Sequence, residues 1–123
     1  MDSTQALSNQ KCIALETYKK NGEAKRTPVW FRLDNGLVYF HTGANTWKAK
    51  RLRKNPNIRL APCTWGGKVQ GDWLSGKATL VGAADNDDIK KMIKQINSRY
   101  GMIGRVIGAT EKNRVLYSIS LDP

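Results

Sequence analysis

The sequence predicts a mainly β, α+β fold: about six short strands curled into an antiparallel barrel, with one short basic helix among the strands and one longer covering helix. Three observations predict it. Short runs rich in β-branched and aromatic residues recur between turn-forming Gly, Asn and Pro. One stretch, from Asp85 onward, keeps a sustained helical period. No repeat, low-complexity tract or composition shift divides the 123 residues into more than one unit. We therefore expect a short flexible N-terminal segment over residues 1–10 and one domain over residues 11–123.

Residues 11–18 place Ile13 and Leu15 on one face and Cys12 and Ala14 on the other, and run into a Lys-Asn-Gly turn. Residues 24–33 form the second strand, irregular around Pro28, which has no ladder hydrogen bond to donate. Asp34-Asn35-Gly36 is a tight turn into a strand over Leu37 to Thr42, which completes a three-strand meander. Asn45 or Thr46 caps a helix from Trp47 to Lys54, stopped by Asn55-Pro56-Asn57. Ile58 to Thr64 and Trp73 to Gly82 return to strand character across a Gly66-Gly67 loop, the latter alternating Ala78 and Leu80 against Thr79 and Val81. Ile89, Met92, Ile93, Ile96 and Tyr100 then share one helical face, with Asp85, Asp87 and Asp88 at its positive end and Gly101 as its stop. Val115, Tyr117, Ile119 and Leu121 alternate along the last strand.

Composition narrows the chemistry. Lys and Arg number 21 against 10 Asp and Glu, a formal net charge of +11, so the ligand or partner is anionic: a phosphate-bearing small molecule, a nucleic acid or an anionic membrane surface. The polar start of the chain lacks the pattern of a signal peptide, and no apolar run reaches membrane-spanning length, which predicts a cytoplasmic protein without a membrane partner. Cys12 and Cys63 stand apart, outside any CxxC pair, and read as buried free thiols. With His41 as the one histidine, a zinc site lacks ligands, and a Ser-His-Asp or Cys-His system would have to use His41 itself. A strand-end histidine reads more simply as a hydrogen-bonded structural group.

The informative stretch runs from Thr42 to Lys54. It joins a strand to a helix N-terminus through small and hydroxyl residues, so backbone N–H groups, the helix dipole, hydroxyls and cations can converge on an anion. Lys48 and Arg51 lie three apart on one helical face. The plainer reading is a solvated basic face whose Leu52 packs on the sheet. Trp30, Trp47, Trp65 and Trp73 can fill a core or a subunit interface, or stack on a planar ring or bases. Trp30, within an apolar run, suits the core, whereas Trp73 suits ligand contact equally well. An anion cradle with aromatics and no acid/base pair points to a bound cofactor as the source of reactivity.

The runs Thr27-Pro28-Val29-Trp30-Phe31, Thr42-Gly43-Ala44 with Lys48-x-Lys50-Arg51-Leu52-Arg53-x-Asn55-Pro56, Arg59-Leu60-Ala61-Pro62-Cys63 and Gly76-x-Ala78 resemble the pyridoxamine-phosphate-oxidase-like split-barrel family, and within it the class dependent on the deazaflavin coenzyme F-420. That resemblance implies a six-stranded split-barrel homodimer with a cofactor, F-420 or FMN, at each subunit interface. It further implies that Thr42, Lys48, Lys50 and Arg51 hold the cofactor phosphate, while Thr27, Pro28, Val29, Arg59 and Ala61 lie along the ring. Trp73 joins the expected cofactor contacts. Trp47 departs from the small residue common in relatives and either covers or crowds the phosphate. The acidic tail of F-420 suits a basic chain better than FMN does.

The implied activity is hydride transfer from the reduced cofactor to a small planar or conjugated acceptor. Two other classes compete with it. One is a cofactor carrier without turnover; the other is a basic barrel for single-stranded nucleic acid, against which the cations cluster at one helix start instead of tracking a strand face.

Overall fold

Asn21 and Gly22 close the first hairpin: Gly22 takes the left-handed conformation at φ 87° and the Lys19 N–H donates to the Glu23 carbonyl at 2.9 Å. The turn joins β1 (Cys12–Tyr18) to β2 (Ala24–Val29). The computed structural model, which describes Leu7, residues 10–99 and residues 113–122, continues with β3 (Arg32–Asp34), β4 (Leu37–Gly43), α1 (Trp47–Lys54), β5 (Asn57–Cys63), β6 (Leu74–Ala83), α2 (Asp87–Ser98) and β7 (Arg114–Leu121).

All seven strands form one antiparallel sheet in the order β2-β1-β5-β6-β7-β4-β3. The fold is the expected mainly-β barrel with two helices, but the strand count and the meander both need correction. Residues 24–33 split into β2 and β3 at Trp30 and Phe31, because Phe31 is fully buried and turns the chain from β1 toward β4. β4 lies between β3 and β7 and does not touch β2, with Leu33 opposite Val38 on one side and Phe40 opposite Tyr117 and His41 opposite Leu116 on the other. The two halves of the split strand thus end on opposite edges of the sheet.

Inward positions pack one core: Ile13 and Leu15 of β1, Val38 and Phe40 of β4, Ile58 and Leu60 of β5, and Tyr117 and Ile119 of β7, with Leu52 of α1 and Leu7 of the N-terminal segment. Phe40 and Tyr117 stack at 5.4 Å. The β6 alternation fails after Ala78: a register irregularity between Leu80 and Gly82 leaves both Leu80 and Val81 exposed. On the outer face, α2 lays Ile89, Ile93 and Ile96 against Leu116, with Tyr39 and Trp30 at the margin. Asn86 caps this helix through bonds from the Asp88 and Ile89 N–H groups, and acidic Asp87 and Asp88 fill its first turn. The predicted contribution of Tyr100 and stop at Gly101 lie outside the described residues. Among the described residues no helix is long and apolar enough to cross a membrane.

Candidate cofactor site

Thr46 caps α1, its Oγ1 accepting from the Ala49 N–H at 3.2 Å and donating to the Gly43 carbonyl at 3.0 Å. Ala49 and Leu52 are buried beneath the helix, which fixes its rotation on the barrel and sends its cations to different sides. Lys48 falls into a cavity of about 220 Å³ lined also by Pro28, Val29, Trp30, His41, Thr42 and Arg114. Burial, then the charges of Arg114 and Arg51, hold the Lys48 ammonium down at about 8. Thr42, buried, stands 3.2 Å from Thr46 through their hydroxyl oxygens. This small cavity therefore brings the Thr42 hydroxyl, a desolvated cation and Arg114 together beside the start of a helix, the chemistry that receives a phosphate.

The four residues expected at the phosphate do not share one cavity. Thr42 and Lys48 line this one. Lys50 and Arg51 line a larger groove on the far side of α1, where Lys50 Nζ sits 4.7 Å over the Trp47 ring and Arg51 Nε donates to Thr17 Oγ1 at 2.8 Å. Lys48 and Lys50, two positions apart, diverge by about 200° around the helix, whereas Arg51 stays close enough to Lys48 to act on its charge. Trp47, at 72% exposure, walls the groove and does not line the cavity of Lys48.

The expected ring contacts divide by sheet face. Thr27 and Val29 pair with Leu15 and Ile13 and face inward, while Pro28 and Ala61 both pair with Ala14 and face outward, in line with Arg59 opposite Glu16. Pro28 and Val29 nonetheless meet at the cavity that holds Lys48, at the end of β2. Ala61 is fully buried. Arg59 is engaged: its Nε donates to Glu16 Oε1 at 2.8 Å, while Arg26 Nε donates to Glu16 Oε2 at 2.8 Å and the Tyr18 hydroxyl to Oε1 at 2.9 Å. These bonds, Arg59 foremost, hold the buried Glu16 carboxyl down at about 2. Trp73 lies under both guanidiniums, with Arg26 at 4.7 Å and Arg59 at 5.2 Å from its ring centre. Arg59 and Trp73 thus build a buried-carboxylate cluster on the outer face.

Three members of the site escaped the sequence reading. Arg114 reaches the cavity because it pairs with Gly43 across β4 and β7, a contact between positions far apart in the chain. His41 lines the same cavity and is bonded through Nε2 to the buried Asn97 side chain at 2.8 Å. Trp30 is half-buried, packs at the margin of two apolar clusters and also lines the cavity wall, edge-on to Trp65 at 6.1 Å. The cysteines are free and buried, and burial raises both thiols, Cys63 to about 11. They stand opposite each other on β1 and β5. No group of three or more metal-ligating side chains occurs among the described residues.

A family model described as pyridoxamine 5'-phosphate oxidase matches residues 3–122. The chain belongs to that family. Similar solved structures include a heme storage protein from Vibrio cholerae, at TM-score 0.73 and 14% identity, covering 98% of this chain and 87% of that one. An F-420 reductase matches at TM-score 0.66 and 15% identity, covering 98% and 93%. A FAD-binding protein from Mesorhizobium loti matches at TM-score 0.66 and 18% identity, covering 98% and 85%. At these identities the three share the family's fold with this chain. No curated protein matches it in sequence.

Proposed function

We propose that this protein is an oxidoreductase that binds a phosphorylated flavin-type cofactor, F-420 or FMN, and passes hydride from its reduced form to a small acceptor. The observation that carries this reading is the meeting of Lys48 and Arg114 in one cavity that desolvates Lys48, with Arg51 near enough to act on its charge: a phosphate placed there supplies the missing negative charge. When bound, the cofactor supplies the redox chemistry. The chain's own residues do the rest. Lys48 and Arg114 neutralise the phosphate, Thr42 and Thr46 offer hydroxyls beside the helix start, and Pro28, Val29 and Trp30 wall off water on the side of the cavity toward β2.

The cavity is small and open on one side, so we assign the second wall to another copy of the chain, in a homodimer. Equilibrium dialysis against FMN and F-420 tests the reading. Lys48→Ala with Arg114→Ala is expected to lose at least 100-fold in affinity with an unchanged circular dichroism spectrum, since each charge-assisted phosphate bond is worth about 1.5–3 kcal/mol. Unchanged affinity in the double variant would sink the assignment. Oxidation of the reduced, bound cofactor by a quinone or nitroaromatic dye then separates turnover from simple carriage.

A further inference from the structure

The cavity around Lys48 uses few of the chain's cations. A second concavity of about 910 Å³ lies beyond α1, at the upper end of the range for ligand pockets, about 300–1,000 Å³. One wall is the β1–β2 hairpin with Lys19, Lys20 and Lys25; the other is α1 with Lys50, Arg51, Arg53 and Lys54. Among the described residues no carboxylate lines it, and Glu23, at the hairpin, pairs with Lys19 at 3.6 Å and Lys25 at 3.2 Å. Trp47 stands in the wall with most of its ring in water.

We propose that this groove binds single-stranded nucleic acid, its phosphates on the two rows of cations and a base on Trp47. Seven cations exceed the charge of a mononucleotide and line both sides of an open trough, the arrangement that follows a phosphate chain. An exposed tryptophan among them adds what a purely anionic peptide would not use: a flat apolar platform for a base. The sequence argument against a nucleic acid rested on cations gathered at one helix start. The fold overturns its premise by adding three lysines of the hairpin, some thirty residues earlier in the chain, to the opposite wall. The groove stands on these residues alone and does not depend on the cofactor at Lys48.

The test is fluorescence anisotropy of a labelled twelve-residue oligothymidylate, titrated with the intact protein from 50 to 200 mM salt. Saturable binding is expected to weaken with a log–log slope of about −2 to −3.5, for three to five phosphate contacts at about −0.7 each. Trp47→Ala is expected to weaken binding about 5- to 100-fold with the slope unchanged. Lys19→Glu with Lys54→Glu should weaken it more than 10-fold and flatten the slope, while Lys90→Glu with Lys91→Glu, the same change of charge on α2, should leave it within about 2-fold. Lys48→Ala should still bind the oligonucleotide, so failure of the cofactor reading and failure of this one are distinguishable. Equal weakening by the α2 pair would reduce the effect to net charge. Competition by a γ-linked oligoglutamate of matched charge as strong as by unlabelled oligothymidylate would assign the groove to acidic chains instead. Either result overturns the proposal, as does the absence of saturable binding at 50 mM salt.

Discussion

Lys48 shows how one side chain can carry a functional argument. Folding moves it out of water toward Arg114 and Arg51, so its proton is held less tightly than the ordinary 10.5, down to about 8. Between those values the unfolded chain keeps a proton that the folded chain has lost, so stability gains as pH rises through that window. A bound phosphate reverses the effect by favouring the charged amine. Cofactor binding at pH 8 should therefore take up about half a proton, visible as a dependence of the calorimetric heat on buffer ionisation enthalpy, and the uptake should grow from pH 7 to pH 9 as the unbound amine loses its proton. Glu16 has the opposite sign. Its carboxyl falls from 4.5 to about 2, so the stability it contributes is complete above 4.5 and is lost as pH falls toward 2. Glu16→Gln should cost about 2 kcal/mol in urea melts at pH 7, because both arginines are partly exposed and can turn to water, and should flatten the acid limb between pH 4.5 and 2. None of this was legible in the sequence, where Glu16, Arg26 and Arg59 sit in three separate runs that only strand register brings together.

Elements whose signals are local were legible. The α1 cap, span and stop fall where Thr46, Trp47 and Asn55 predicted, because a cap and a Pro act within one turn. The acidic start and apolar stripe of α2 were equally plain. Pairing was not legible: a propensity reading of residues 24–43 cannot know that Phe31 must enter the core and that β4 must find β7. Close approach of strands also hides in a single residue. A Cβ on Gly76 of β6 would lie 2.5 Å from the Ser120 carbonyl oxygen of β7. Gly76→Ala should therefore force the strands apart and cost about 1–3 kcal/mol, measured as a lowered urea midpoint with an unchanged slope. A neutral result would mean that β6 yields more easily than its packing implies.

For the whole molecule, nine of the 21 Lys and Arg residues gather at two concavities, one on each side of α1. The barrel turns α1 so that one part of its charge enters a small cavity with Thr42 and another faces a groove with the hairpin lysines. The strand, small residues, cap and cations from Thr42 to Lys54 could be read from the sequence because they are contiguous. The division of the cations between two concavities could not, since it depends on the buried pair Ala49 and Leu52 and on Arg114 arriving from β7. The central claim is that the cavity at Lys48 receives a phosphorylated flavin-type cofactor. The most direct measurement is an absorbance and fluorescence titration of the purified protein with FMN and with F-420 at moderate salt. The account predicts tight saturation by one of them at one cofactor per chain, lost in Lys48→Ala. Binding seen only at low salt, or binding indifferent to Lys48, would contradict it.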